Sequence, residues 1–327
     1  MKAARRSGTG ILILILALLA APLAVQAQQA RAYRIGVVHL GGPYSAAVDG
    51  LRDGLNELGL EEGKQLIFHV RDVKGDPKSV EAAARSLERE KVDLIFSVAT
   101  SVTIAVKRAT QSVPIVFYAG TDPVEVGLVK SFAKPGGRLT GIHSRSVPLV
   151  AKRLQLLKEM IPAVRRVVYF YNPGNPINQQ GIRFARDAAR KLKVELVERQ
   201  VGSVEELRAG LDALQPGEAD ALTYVDGMVT SQEEMVIDAA TKKKLAIVVG
   251  ERTSVAKGAL ASYGVSYYTN GRLAAKLVQR VLQGASPADM PVEQVDRLHF
   301  VVNLKTAKAL GLRIPPSVMI RADEVIE

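Results

Sequence analysis

Short apolar runs alternate with amphipathic stretches along most of the chain, which is the pattern of a doubly wound parallel α/β sheet. Runs rich in Val, Ile and Phe at 34–39, 65–71, 93–98 and 114–118 predict strands. Helical periodicity between them predicts helices over 46–58, 76–90 and 101–110. The second of these opens with Asp76-Pro77, a capping side chain followed by a residue whose missing N–H costs nothing in a first turn. A second cycle follows, with helix 148–160, strand 166–171, helix 176–192, strand 194–199, helix 204–214, strand 221–225, helix 232–243 and strand 246–249. Ser203 with Glu206 and Ser231 with Glu234 have the spacing of capping boxes. The same order of elements occurs twice without a sequence repeat. It predicts two Rossmann-like α/β lobes with parallel sheets, joined by a hinge near 142–147.

In open α/β sheets ligands bind beyond the carboxyl ends of the strands, so two such sheets facing each other would enclose a cleft. The turns that follow the strands hold hydroxyls, amides and acids: Tyr44-Ser45, Thr100-Ser101, Thr121-Asp122, Asn172 to Asn175, Asp226, and Gly250-Glu251-Arg252. The stretch 114–141 is the pivot, since its buried strand runs into Thr121-Asp122-Pro123. Asp122 there has the position of an N-cap, with Pro123 at the first helical place and Glu125 three residues on. A helix starting here would turn free N–H groups outward, a setting that attracts anions. Asp122 as a cap alone remains open, as do Thr100, Ser101 and Asn175 as caps and Glu251 as a solvated turn acid.

Lys2, Arg5 and Arg6 precede an apolar run from Ile11 to Ala21, and Val25-Gln26-Ala27 offers a small-x-small cleavage site. Residues 1–27 therefore read as a secretory signal peptide, cleaved after Ala27. The apolar run is shorter than the roughly 18–20 residues of a membrane span. The chain has no cysteine, hence no disulfide and no lipid attachment site, and a periplasmic location is expected for the mature protein. Its net charge of +11 falls to +8 once Lys2, Arg5 and Arg6 are removed. Nucleic acid is not the expected partner, because the cations are spread over amphipathic helices, as at Lys152-Arg153 and 242–244, with no interleaved aromatics.

Catalysis finds no constellation. His39, His69, His143 and His299 lack metal-ligand spacing, and there is no GxSxG elbow, no Walker A loop and no GxGxxG after a strand. No enzyme activity, metal or cofactor is expected.

The run TDPVEVGLVKSFAKPGGRLTG at 121–141, YNPGNP at 171–176 and NLKTAKALGLRIPPSVMIRADEVIE at 303–327 resemble the ABC transporter substrate-binding protein family that includes tryptophan- and tyrosine-binding members. The resemblance spans essentially the whole chain after residue 27. It implies a type 1 periplasmic binding fold that closes on a small solute and delivers it to an ABC permease and its ATPase, acting as a monomer. By that resemblance the ligand-binding positions are Tyr44, Ser45, Thr100, Ser101, Thr121, Asp122, Asn172, Asn175, Asp226 and Glu251. Ser266, in Gly264-Val265-Ser266-Tyr267-Tyr268, stands where an acid is expected in aromatic-amino-acid binders, and it also fits the N-cap of a helix over 267–282. The resemblance also implies three hinge crossings, with one lobe of 32–146 plus about 264–296 and another of 147–263 plus about 297–327. The expected ligand is an amino acid or an aromatic carboxylate: helix-start donors meet the anion, Asp226 or Glu251 meets an ammonium, and Tyr44 offers a ring. A periplasmic sensor that signals to a membrane receptor is the alternative role.

Overall fold

The computed structural model describes residues 32–327, so the signal-peptide reading of 1–27 lies outside the described residues. The chain builds two sheets. The first has strands β1 (Tyr33–His39), β2 (Leu66–Asp72), β3 (Leu94–Val98), β4 (Ile115–Ala119) and β5 (Leu139–His143), all parallel. The second has β6 (Arg166–Tyr171), β7 (Glu195–Gln200), β8 (Ala221–Tyr224), β9 (Ala246–Val249) and β10 (Ala261–Gly264). Both run in the order 2-1-3-4-5, and each is extended after its fifth strand. The first gains the short β11 (Glu293–Gln294), parallel to β5. The second gains β12 (His299–Asn303), antiparallel to β10, and β13 (Glu324–Ile326).

The two-residue period of a strand sorts the core. In β6, Val167, Tyr169 and Tyr171 pack into one buried cluster while Val168 and Phe170 pack into another, so this central strand is covered on both faces and reads as continuous apolar sequence. Helices supply the covers. In the first lobe they are α1 (Ser45–Glu57), α2 (Ser79–Arg89) and α3 (Thr100–Ala109). In the second they are α4 (Leu149–Met160), α5 (Pro176–Leu192), α6 (Val204–Ala213), the single turn α7 (Gly227–Ser231) and α8 (Glu233–Lys242). Helix α9 (Tyr267–Leu282) follows β10, and α10 (Leu304–Ala309) and α11 (Pro316–Met319) lie near the C-terminus.

The chain passes between the sheets three times: after β5, after β10 and after β11. Helix α9 makes the return to the first lobe by packing against α1 at backbone distance. A Cβ on Gly50 would stand 1.9 Å from the carbonyl oxygen of Tyr268, and one on Gly271 would stand 2.0 Å from that of Ala47. Only glycine permits this approach. Tyr268 donates its hydroxyl to Asp53 at 2.7 Å beside the crossing.

Four local expectations change. No helix follows β4: Asp122 Oδ1 accepts from the N–H groups of Val124 at 2.8 Å and Glu125 at 3.2 Å, closing a turn, and Gly127 and Gly136 at φ of +69° and +72° break the chain before β5. Helix α2 begins at Ser79, because Asp76 spends its carboxylate on the Lys78 N–H and the Ser79 hydroxyl. Ser231 does not cap α8: its hydroxyl donates to the Met228 carbonyl, and α7 occupies the turn before it. Ser203 does cap α6, accepting from the Glu206 N–H at 3.2 Å, while Glu206 reaches back one residue further than a capping box requires, to the Gly202 N–H. Strands β5 and β10 escape a pattern search because they are short and carry glycine. Gly141 in β5 has no room for a side chain, since a Cβ would lie 2.2 Å from the Phe117 carbonyl oxygen.

Candidate functional site

In a 2-1-3-4-5 sheet the chain leaves the first and third strands in opposite directions, and the crevice between those exits is where ligands sit. Here the two crevices face one another. The loops after β1 and β3 and those after β6 and β8 enclose a cavity of about 90 Å³. That is several times the ~10–15 Å³ one water needs, and small enough that any occupant touches both lobes.

The first lobe contributes rings and hydroxyls. Tyr44 ends the 3-10 turn Gly42–Tyr44, and its ring lies 4.9 Å from that of Tyr267, the first residue of α9. Tyr267 also meets Tyr118 edge-on at 5.8 Å. Burial raises the pKa of all three phenols, that of Tyr118 to about 12, so they are neutral donors. Thr100 and Thr121 bond each other through their hydroxyls at 3.1 Å, and Thr100 Oγ1 also accepts from the Gly120 N–H at 3.0 Å. Helix α3 starts at this wall with no side-chain cap, and Ala99 before it is held at φ +94°, a strained conformation for a residue with a Cβ.

The second lobe contributes charge. Asp226 caps α7: Oδ1 accepts from the Val229 N–H at 3.0 Å, Oδ2 from the Asn172 N–H at 3.0 Å and from the Asn178 amide. Even so, burial lifts its carboxyl above the usual range. Glu251 accepts from the N–H groups of Tyr267 at 2.9 Å and Thr253 at 3.4 Å, and burial pushes it up to about 7. Glu233 is held by the hydroxyls of Tyr224 and Ser254, and burial takes it to about 7 as well. Arg153, on α4, is 6% exposed and donates Nε to the Tyr263 carbonyl at 2.9 Å. Its pKa is lowered by burial.

Of the positions expected from sequence, Tyr44, Thr100, Ser101, Thr121, Asn175, Asp226 and Glu251 line the cavity. Four others lie off its wall. Ser45 is exposed and bonds the Gly42 carbonyl, Asp122 closes its own turn, and Asn172 accepts from the Gly174 N–H at 2.8 Å. Ser266 caps α9 through the Thr269 N–H at 3.2 Å. Sequence reading missed Tyr118, Ser146, Arg153, Asn178, Tyr224 and Glu233, all of which face the cavity. Arg153 left a signal: it falls on the stripe of Val150, Leu154 and Leu157, where a charge is out of place on an apolar helix face. Among the described residues, no three His, Cys, Asp or Glu side chains converge to hold a metal.

The model of the ABC transporter substrate binding protein family matches residues 37–326. The chain belongs to that family. A tyrosine-binding protein of Clostridioides difficile is 31% identical over 82% of this chain and 77% of its own length. Among solved structures, the ABC domain from Streptococcus pneumonia in complex with L-Trp is 27% identical, covers 90% of this chain and all of its own, and superposes with a TM-score of 0.79. The ligand-free, open form of a substrate-binding protein with adhesive properties from Clostridium difficile is 28% identical over 90% of this chain and 99% of its own, yet reaches only 0.58. At matched identity, this member of the substrate-binding family is therefore closer in shape to the tryptophan complex than to the open form. Structures 14–16% identical share the type 1 periplasmic binding fold alone. No helix among the described residues is long and apolar enough to cross a membrane.

Proposed function

We propose that this substrate-binding protein is the periplasmic solute-binding component of an ABC importer, exported by a signal peptide over 1–27 cleaved after Ala27 and working as a monomer. It closes on a small organic solute between a lobe of 32–146 plus about 264–296 and one of 147–263 plus about 297–327, then hands it to a permease and its ATPase. The favoured solute is an amino acid or an aromatic carboxylate, and the reaction is binding without catalysis.

The observation that carries this reading is a cavity enclosed by both lobes and walled by three tyrosine rings on one side and buried charges on the other. A sugar site would rest on many side-chain amide hydrogen bonds, and among the described residues only Asn175 and Asn178 bring such amides to the cavity wall. The tyrosine- and tryptophan-binding relatives point to the same ligand class.

Thermal unfolding of protein stripped of ligand tests it, with a panel of aromatic and aliphatic amino acids, aromatic acids and sugars. At 100-fold excess over Kd a true ligand adds about 2.7 kcal/mol. A panel that leaves the melting temperature unmoved defeats the proposal.

A further inference from the structure

Arg153 is a buried cation with no ion-pair partner among the described residues, although the charge of Glu233 reaches it through the cavity wall. Its guanidinium spends Nε on the Tyr263 carbonyl, while no described residue bonds Nη1 or Nη2, and no carboxylate of the described residues forms an ion pair with it. The group nonetheless lies on the wall of the interlobe cavity. Taking a guanidinium out of water without a partner is costly, and such a group is retained where something else completes it.

The surroundings make room for that completion. Nη2 rests on a floor of two glycines that follow or end strands: a Cβ on Gly250, after β9, would lie 2.8 Å from it, and one on Gly264, at the end of β10, 3.3 Å. Side chains there would push the fork out of the cavity. The floor is rigid as well, since a Cβ on Gly264 would also lie 2.1 Å from the Gly250 carbonyl oxygen. The acids around the cavity are occupied in other ways. Asp226 is bonded by three donors of its own lobe, Glu233 by the Tyr224 and Ser254 hydroxyls, and Glu251 by backbone N–H groups.

Resting on the solute-binding reading above, we propose that Arg153 is the ligand's anion anchor, its two free Nη groups gripping a carboxylate side by side. The site thereby selects solutes that carry a carboxylate. A planar fork with parallel N–H groups matches the two oxygens of a carboxylate, a fit that a lysine ammonium does not reproduce. The anchor stands as a rival to the expectation that helix-start N–H groups and hydroxyls at Thr100-Ser101 and Asn172 to Asn175 meet the anion: the uncapped start of α3 lies on the opposite wall of the cavity and would be an auxiliary donor.

Paired ligands that differ only in the carboxylate decide the matter on unmodified, ligand-free protein: tyrosine against tyramine, tryptophan against tryptamine, and phenylalanine against phenethylamine, by calorimetric titration. Each amine is expected to bind at least 100-fold more weakly than its amino acid. Arg153→Gln and Arg153→Lys should both weaken the best amino acid at least 30-fold while leaving its amine within about threefold, and circular dichroism should show both variants folded. Amines that equal their amino acids overturn the anchor. So does an Arg153→Gln protein that still prefers the amino acid as strongly as the original, which would assign the carboxylate to the start of α3. Should both variants fail to fold, Gly250→Ala, whose Cβ would lie 2.8 Å from Nη2, displaces the fork instead: it should weaken the amino acid while sparing its amine, and an equal loss of both overturns the anchor. Tight binding of an uncharged solute with no carboxylate bound at all also defeats the anchor while solute binding stands, whereas silence of every solute defeats the solute-binding reading itself.

Discussion

The backbone N–H of Asn172 donates to Oδ2 of Asp226 at 3.0 Å, fastening the turn after β6 to the turn after β8. Asn172 thus reaches the cavity wall through Asp226. Because that carboxylate also caps α7, Asp226→Asn would set an amide group against the donors of Asn172 and Asn178. Such a mismatch costs about 1–3 kcal/mol, to be read from the midpoint of denaturant unfolding without ligand.

The ammonium of an amino-acid ligand needs one of the buried acids. Glu251 has the sparser set of donors, so Glu251→Gln is expected to lower amino-acid affinity by about 2–5 kcal/mol and to leave a plain aromatic carboxylate bound equally well or better. Calorimetry on both variants checks this. Amino-acid binding that survives both Asp226→Asn and Glu251→Gln shows the ammonium partner to lie elsewhere.

Two buried glutamates should take stability from the ligand-free protein as pH rises from about 4.5 to 7. Glu233 and Glu251 each sit near 7 in the folded state against 4.5 in the unfolded chain, so between those values the folded protein holds protons that the unfolded chain has released. Stability then falls with rising pH. Glu90 acts in the opposite direction, held at about 2 by the Ser86 hydroxyl and Arg71, but its contribution is lost only below 4.5. Burial lowers His39 and His143 below 6.5, and these oppose the acids over part of that range. The melting temperature of the protein relative to its Glu233→Gln, Glu251→Gln double variant should therefore fall across pH 4.5–7.5.

Closure can be blocked at the lip of the cleft. Gly42 faces the Ser231 backbone so closely that a Cβ would lie 2.3 Å from its carbonyl oxygen, and Gln232 donates across the gap to the Lys74 carbonyl at 3.1 Å. Small-angle scattering on ligand-free protein should show a larger radius that shrinks at saturation. Gly42→Ala should hold the larger radius with ligand present and weaken binding at least tenfold. A radius indifferent to ligand in the unmodified protein would dispose of hinge closure.

The architecture was legible because parallel strands buried on both faces are written as unbroken apolar runs, as in Val167 to Tyr171, and because Pro and Asn or Ser mark helix starts such as Asn175-Pro176 and Ser266. Short strands with glycine, β5 and β10, carry too little of that signal. The polar turns after strands led to Thr100, Asp226 and Glu251, since strand exits are where such sheets present side chains. Groups that enter the cavity from the interior of an element were not legible this way. Tyr118 looked like a strand interior, Glu233 like the first turn of a helix, and Arg153 like the neighbour of Lys152 on a solvated face. Which side of a helix meets a cavity depends on how two lobes are set against each other, and that is written in long-range packing.

The backbone-tight crossing of α1 and α9 fixes where Tyr267 belongs. Its ring is carried by a helix that cannot slide on the first lobe, so it travels with Tyr44 and Tyr118. Arg153, Asp226, Glu233 and Glu251 all stand on the second. On the proposed hinge motion the cavity would come apart along a chemical seam: an aromatic palm on one side and an ionic palm on the other. A solute with a ring at one end and charges at the other would be caught by either palm, but only one that satisfies both would draw them together.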